Sequence, residues 1–106
     1  MGVAQVDEEN PSFVGILRIM GRHWKFKRWE ILIRLVQRIP FLTKQELLER
    51  LREEDIHIEE RTFERDLKEI RHDFGIDISY DRGRSGYFIA RDNEQQVLDF
   101  FRFAGR

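Results

Sequence analysis

The stretch Arg61-Thr62-Phe63-Glu64-Arg65-Asp66-Leu67-Lys68-Glu69-Ile70-Arg71-His72 has the periodicity of a two-faced helix. At about 100° per residue, Phe63, Leu67, Ile70 and Phe74 make one narrow apolar stripe suited to a core. Arg61, Arg65, Lys68 and His72 fall opposite that stripe, and Glu64 and Asp66 take the flanks. Such a helix can dock on a small core while laying basic side chains against a phosphate backbone. The plainer alternative is a solvated face laced by i,i+4 ion pairs such as Glu64–Lys68. The flanking segments discriminate between the two.

Upstream, Thr43-Lys44-Gln45-Glu46 is a capping box, with Thr43 as N-cap and Glu46 at N3. It opens a second helix over about residues 43–54, with Leu47, Leu48 and Leu51 inward. Glu49, Glu53, Glu54 and Asp55 make its end acidic, against the macrodipole, at a cost of a few tenths to about 1 kcal/mol. Residues 27–39 predict a first helix with Trp29, Leu32, Ile33, Val36 and either Leu35 or Ile39 on its apolar face, stopped by Pro40. Trp24 and Trp29 bracket the basic cluster Lys25, Lys27 and Arg28. That interleaving suits nucleic acid; the simpler expectation is that one tryptophan anchors the helix to the core. Residues 1–22 read as a mobile or accessory segment: 1–12 are polar with Pro11, and the apolar run at 13–20 is a helix turn, an edge strand or a contact segment.

Downstream, Gly75 fits a helix C′ position. Ile76-Asp77-Ile78-Ser79-Tyr80 alternates with period two, and Tyr87-Phe88-Ile89-Ala90 is a second short β run. The turn-forming residues Asp81-Arg82-Gly83-Arg84-Ser85-Gly86 between them predict a hairpin with a six-residue basic tip. Residues 93–103 predict a last helix with Val97, Leu98 and Phe101 apolar, and with Phe100 and Phe103 widening that face. A terminal helix rarely exposes so much apolar surface, so it is expected to pack on the domain, on a second copy or on another domain. The organisation is then an accessory segment at 1–22, a domain at 23–91 and a linker or dimerisation helix at 92–106.

The length, 106 residues, suits one domain, and 41% hydrophobic residues can furnish a modest core. The formal net charge of −1 hides segregation. Residues 21–38 carry six basic side chains against Glu30, whereas 39–60 carry three basic and seven acidic ones. Without cysteine there is no disulfide, thiolate nucleophile or zinc–thiolate site, which fits a reducing cytoplasm. No apolar run approaches membrane-spanning length, no signal peptide is recognisable, and Val6 stands where N-myristoylation requires Ser or Thr.

Three helices followed by strand, turn and strand make a mainly α chain with a small β-hairpin, a winged helix-turn-helix. The motifs Leu42–Leu47, Glu60–Ile70, Phe74–Asp81 and Ser85–Ile89 resemble the N-terminal winged helix of bacterial WYL-domain transcriptional regulators and, more distantly, DeoR-type repressors. The Arg61–Leu67 core and Gly86-Tyr87 are the most specific parts, and the resemblance covers roughly residues 28–103. It implies sequence-specific binding of double-stranded DNA, a homodimer on an inverted repeat, and transcription control as a repressor in the cytoplasm at the nucleoid. It also implies a C-terminal effector-sensing domain, missing after Arg106, so that the chain is expected to be a piece of a longer regulator or a shortened one. Glu59 stands where the family commonly has a serine N-cap.

Carried over by position, the candidate DNA contacts are Arg61, Thr62, Arg65, Lys68, His72, Arg82, Arg84 and Lys44. Arg61 and Arg65 suit bidentate contact with guanine, Thr62 a thymine methyl or a phosphate, and Lys68 a phosphate. Arg82 and Arg84 would reach the backbone or the minor groove from the wing. Asp66 is expected to pair with a basic residue of the second helix, and Tyr87 to pack under the wing. Catalysis finds little support: His23, His57 and His72 are scattered, the paired glutamates at 53–54 and 59–60 diverge on a helix, and the wing glycines lack a following Lys-Ser/Thr. No cofactor and no metal site are expected. A second reading is a winged-helix module for protein–protein contact or dimerisation, without DNA.

Overall fold

The computed structural model of the protein describes the backbone of residues 11–105 and the side chains of residues 24–105. Helix α1 spans Pro11–Arg38, α2 Lys44–Glu53 and α3 Glu60–Phe74. Strands β1 (Ile78–Asp81) and β2 (Gly86–Ile89) follow, and a 3₁₀ turn at Arg91–Asn93 leads into α4, Glu94–Ala104. Among the described residues four helices and one antiparallel hairpin in this order form the winged helix-turn-helix that the periodicities predict.

α1 begins much earlier than residue 27. Pro11 occupies the first helical turn, where its missing N–H costs nothing, and the helix continues through Gly15 and Gly21. The apolar run at 13–20 is therefore helical backbone, not an edge strand, and a boundary at 22 falls inside α1. Residues 1–10, the start of the supposed accessory segment, lie outside the described residues. Trp29, Leu32, Ile33 and Val36 form the buried face, and α1 ends at Arg38, where Pro40 biases the preceding residue out of the helical region.

The capping box of α2 closes as expected: Glu46 N–H donates to Thr43 Oγ1 (3.1 Å) and Thr43 N–H to Glu46 Oε1 (2.9 Å). Leu47, Leu48 and Leu51 point inward. The helix stops in a Schellman arrangement, with Ile56 N–H donating to Leu51 O and Asp55 N–H to Arg52 O. The left-handed residue there is Asp55, φ 67°, rather than glycine. At the end of α3 the same role falls to Gly75, φ 71°, whose N–H donates to Arg71 O.

The strands pair Ile78 with Ile89, Ser79 with Phe88, Tyr80 with Tyr87 and Asp81 with Gly86, so pairing extends into the expected tip and leaves a four-residue turn at 82–85. The α1–α2 connection adds a third, one-bridge strand: Phe41 N–H donates to Tyr87 O (2.7 Å) and Tyr87 N–H to Leu42 O (2.9 Å). The backbones meet so closely that a Cβ on Gly86 would lie 2.0 Å from Phe41 O, so only glycine fits. This bridge ties the wing to the start of the helix-turn-helix.

The core joins Trp29, Leu32, Ile33, Leu47, Phe63, Ile70, Ile76, Tyr87, Val97 and Phe100. α4 thus belongs to the same core as residues 23–91. Phe74 sits edge-on to Phe100 (4.8 Å between centroids), and Phe26 edge-on to Phe103 (5.2 Å). The inward residues of α4 are Val97 and Phe100; Leu98, one of the apolar residues of this helix, is 50% exposed because the face is set by Val97, Phe100 and Phe101, roughly a quarter-turn away from it. Among the described residues no helix is long and apolar enough to cross a membrane.

Candidate nucleic-acid interface

α3 is held in register on α1 by two ion pairs one turn apart. Arg28 donates from Nε and Nη2 to the two carboxylate oxygens of Asp66, at 2.6 and 2.8 Å, a fork-on-fork pair. Asp66 is 1% exposed, and Lys25 Nζ meets Glu69 Oε1 at 3.2 Å on the surface above it. The partner of Asp66 is thus on α1 and not on the second helix: Asp66 lies on the flank of α3 that packs against Arg28. Phe63 and Ile70 are fully buried, while Leu67 and Phe74 are half-buried at the edges of the stripe.

With that face fixed, Arg61, Arg65, Lys68 and His72 all emerge exposed on the other side. Among the described residues no carboxylate lies within ion-pair distance of Arg61, Arg65 or Lys68. His72 is turned towards its neighbour, Nδ1 to Asp73 Oδ1 at 2.9 Å. Thr62 is half-buried, on the flank about 100° from Arg61, and does not share the basic stripe. Arg71 is exposed as well, a basic residue on α3 that the stripe pattern passed over.

The acidic residues at the start of α3 are engaged by α2. Lys44 Nζ bridges Glu64 Oε2 (2.8 Å) and Glu60 Oε1 (3.5 Å), and Gln45 Nε2 donates to Glu60 Oε2 (2.8 Å). The hydrogen bond to Glu64 holds the Lys44 ammonium above its ordinary pKa. The Gln45 hydrogen bond, followed by the charge of Lys44, holds the Glu60 carboxyl below its own. Lys44, expected among the DNA contacts, is thus already paired within the domain. The Glu64–Lys68 pair does not form; Glu64 pairs with Lys44 through Oε2 instead. α3 itself begins without a side-chain cap: Glu59 occupies the N-cap position and makes no capping hydrogen bond.

On the wing, Arg82 and Arg84 are exposed. Arg84 is held by two contacts. Its backbone N–H donates to Asp81 Oδ1 (3.0 Å), and its guanidinium lies 4.5 Å over the Phe41 ring. Tyr87 is a core aromatic, edge-on to Phe63 at 5.5 Å, as expected of a residue beneath the wing. Burial, and then the charge of Glu64, push its hydroxyl pKa up.

Of the cations expected at the interface, the exposed ones come from two elements that the sequence separates, the outer face of α3 and the 82–85 turn; Lys27, Arg38, Arg50, Arg52 and Arg91 are exposed elsewhere on the domain. The pairing roles of Arg28, Gln45 and Phe41 are not legible in the sequence because they exist only once helices pack. The one available signal was the capping box, which places Lys44 and Gln45 in the first turn of α2. Among the described residues no three His, Asp or Glu side chains are grouped to hold a metal ion. No protein-family model, no curated protein and no solved structure matches this chain.

Proposed function

We propose that this chain is the DNA-binding domain of a transcriptional regulator, reading double-stranded DNA with α3 in the major groove and the 82–85 turn against the backbone or minor groove. The observation that carries the reading is the sorting of charge around α3. Among the described residues Arg61, Arg65 and Lys68 stand exposed without ion-pair partners, while Glu60 and Glu64 beside them are tied to Lys44 and Gln45. A helix is about as wide as the major groove, roughly 10–12 Å, and long cations on its outer face meet phosphates and guanine edges. The likeness to WYL-domain and DeoR-type regulators supplies the rest: repression, a homodimer on an inverted repeat, an effector-sensing partner domain and a place at the nucleoid in the cytoplasm. The same reading makes the chain a binding module and not an enzyme.

A fluorescence-anisotropy titration against random-sequence duplex at low salt tests it. Binding should weaken steeply with salt, and Arg61→Ala with Arg65→Ala should lower affinity, while Lys68→Ala should flatten the salt slope by about one charge. Absence of duplex binding at low salt refutes the reading. The second reading, a protein-contact module, is favoured by Leu98 and Phe103 at the surface of α4. Leu98→Glu tests that contact: unchanged mass by light scattering argues against α4 as a contact face.

A further inference from the structure

We infer that Glu64 is a base-reading residue of this interface, a carboxylate aimed by Lys44 that accepts a hydrogen bond from the exocyclic amine of cytosine in the major groove. The inference rests on the DNA-binding reading above. Two neighbouring carboxylates differ in how they are held. Glu60 has both oxygens engaged, Oε1 by Lys44 and Oε2 by Gln45. Glu64 gives one oxygen, Oε2, to Lys44, and among the described residues no donor meets its Oε1. Its side chain is 47% exposed. It lies one turn after Arg61 and one turn before Lys68, at the edge of the basic stripe.

An ionised carboxylate at that place is repelled by phosphates and lowers duplex affinity unless a donor meets it. A carboxylate offers acceptors only. In the major groove the donors are the amines of cytosine and adenine. Adenine presents its amine beside the N7 acceptor, which a carboxylate cannot satisfy, whereas cytosine presents the donor alone. Cytosine is therefore the base that Glu64 discriminates for. Lys44 is the positioning residue: held from α2, it keeps the Glu64 carboxylate from folding onto Arg61 or Lys68 and leaves Oε1 open.

Selection from a random duplex pool with the wild-type chain, Glu64→Gln, Glu64→Ala and Lys44→Met tests this. The wild type should select a site with cytosine at one position, favoured roughly 5- to 150-fold over the other bases. Glu64→Gln should move that position to adenine, since an amide pairs with both adenine groups. Glu64→Ala should leave it without preference while the rest of the site stays unchanged. Lys44→Met should weaken discrimination at that position and at no other. If Glu64→Gln and Glu64→Ala select the wild-type site and change affinity equally on all sequences, the inference is overturned while DNA binding stands. If the wild type itself binds no duplex at low salt, the reading beneath it fails and the inference falls with it. Because Glu64 is exposed, coincident thermal melts of the four proteins confirm that selection compares folded chains.

Discussion

Replacing Arg28 with Met should destabilise the domain by about 3 kcal/mol, although Arg28 is not part of the basic stripe. Methionine keeps an apolar stem along α1 and removes only the guanidinium. Asp66 would then be left 1% exposed with both oxygens stripped of the donors now at 2.6 and 2.8 Å. Removing one partner of a buried ion pair costs about 3–5 kcal/mol. The Arg28 side chain is 18% exposed, so water can reach the vacated side, and the lower end applies. For a domain of this size each kcal/mol moves the midpoint by about 4–8 °C, so the melting temperature should fall by roughly 12–24 °C. Urea and thermal denaturation followed by circular dichroism measure both quantities. The double variant Arg28→Met with Asp66→Leu should recover most of the loss, because an apolar pair of similar volume replaces a buried ion pair at little cost. A loss below about 1 kcal/mol, or additive single and double variants with no coupling, would refute the claim that this pair holds α3 on α1.

Gly86→Ala should cost about 3 kcal/mol, since the new methyl would sit 2.0 Å from the Phe41 carbonyl oxygen, a backbone atom that cannot swing away; amide exchange at Phe41 and Tyr87 should accelerate, and unchanged protection would contradict it. Asp55→Gly should stabilise by up to about 1 kcal/mol, because it relieves a left-handed residue and removes an acid beyond the end of α2; urea midpoints read the change. Glu60, whose carboxyl is held below its ordinary value of 4.5, contributes stability that is present above that value and lost as pH falls through the folded-state value. Below pH 4.5 the melting temperature of wild type should therefore fall faster than that of Glu60→Gln, and parallel acid limbs would argue against the contact with Gln45 and Lys44.

Much of the local architecture is legible in the sequence. Thr43 and Glu46 announce the start of α2, Gly75 the end of α3, and the 3.6-residue spacing of Phe63, Leu67 and Ile70 its buried face. These signals act within a turn or two of chain, so a linear reading captures them. The errors share a different cause. α1 starts at Pro11 although Gly15 and Gly21 weaken the local propensity, which is a small penalty over a 28-residue helix. In α4, Phe100 is inward and Leu98 outward because α1 and α3 decide which of several apolar faces finds a partner.

The candidate site divides along the same line. By itself the sequence determined that α3 carries its basic residues opposite its core residues, because a helix of fixed pitch leaves Arg61, Arg65, Lys68 and His72 no other place once Phe63 and Ile70 are buried. Only the tertiary structure decided which charges remain open. Lys44 is 16 residues from Glu60, and Arg28 is 38 residues from Asp66. Side chains so distant in sequence meet only when helices pack, and whether a charge faces solvent or a partner depends on contacts of about 3 Å that no periodicity encodes.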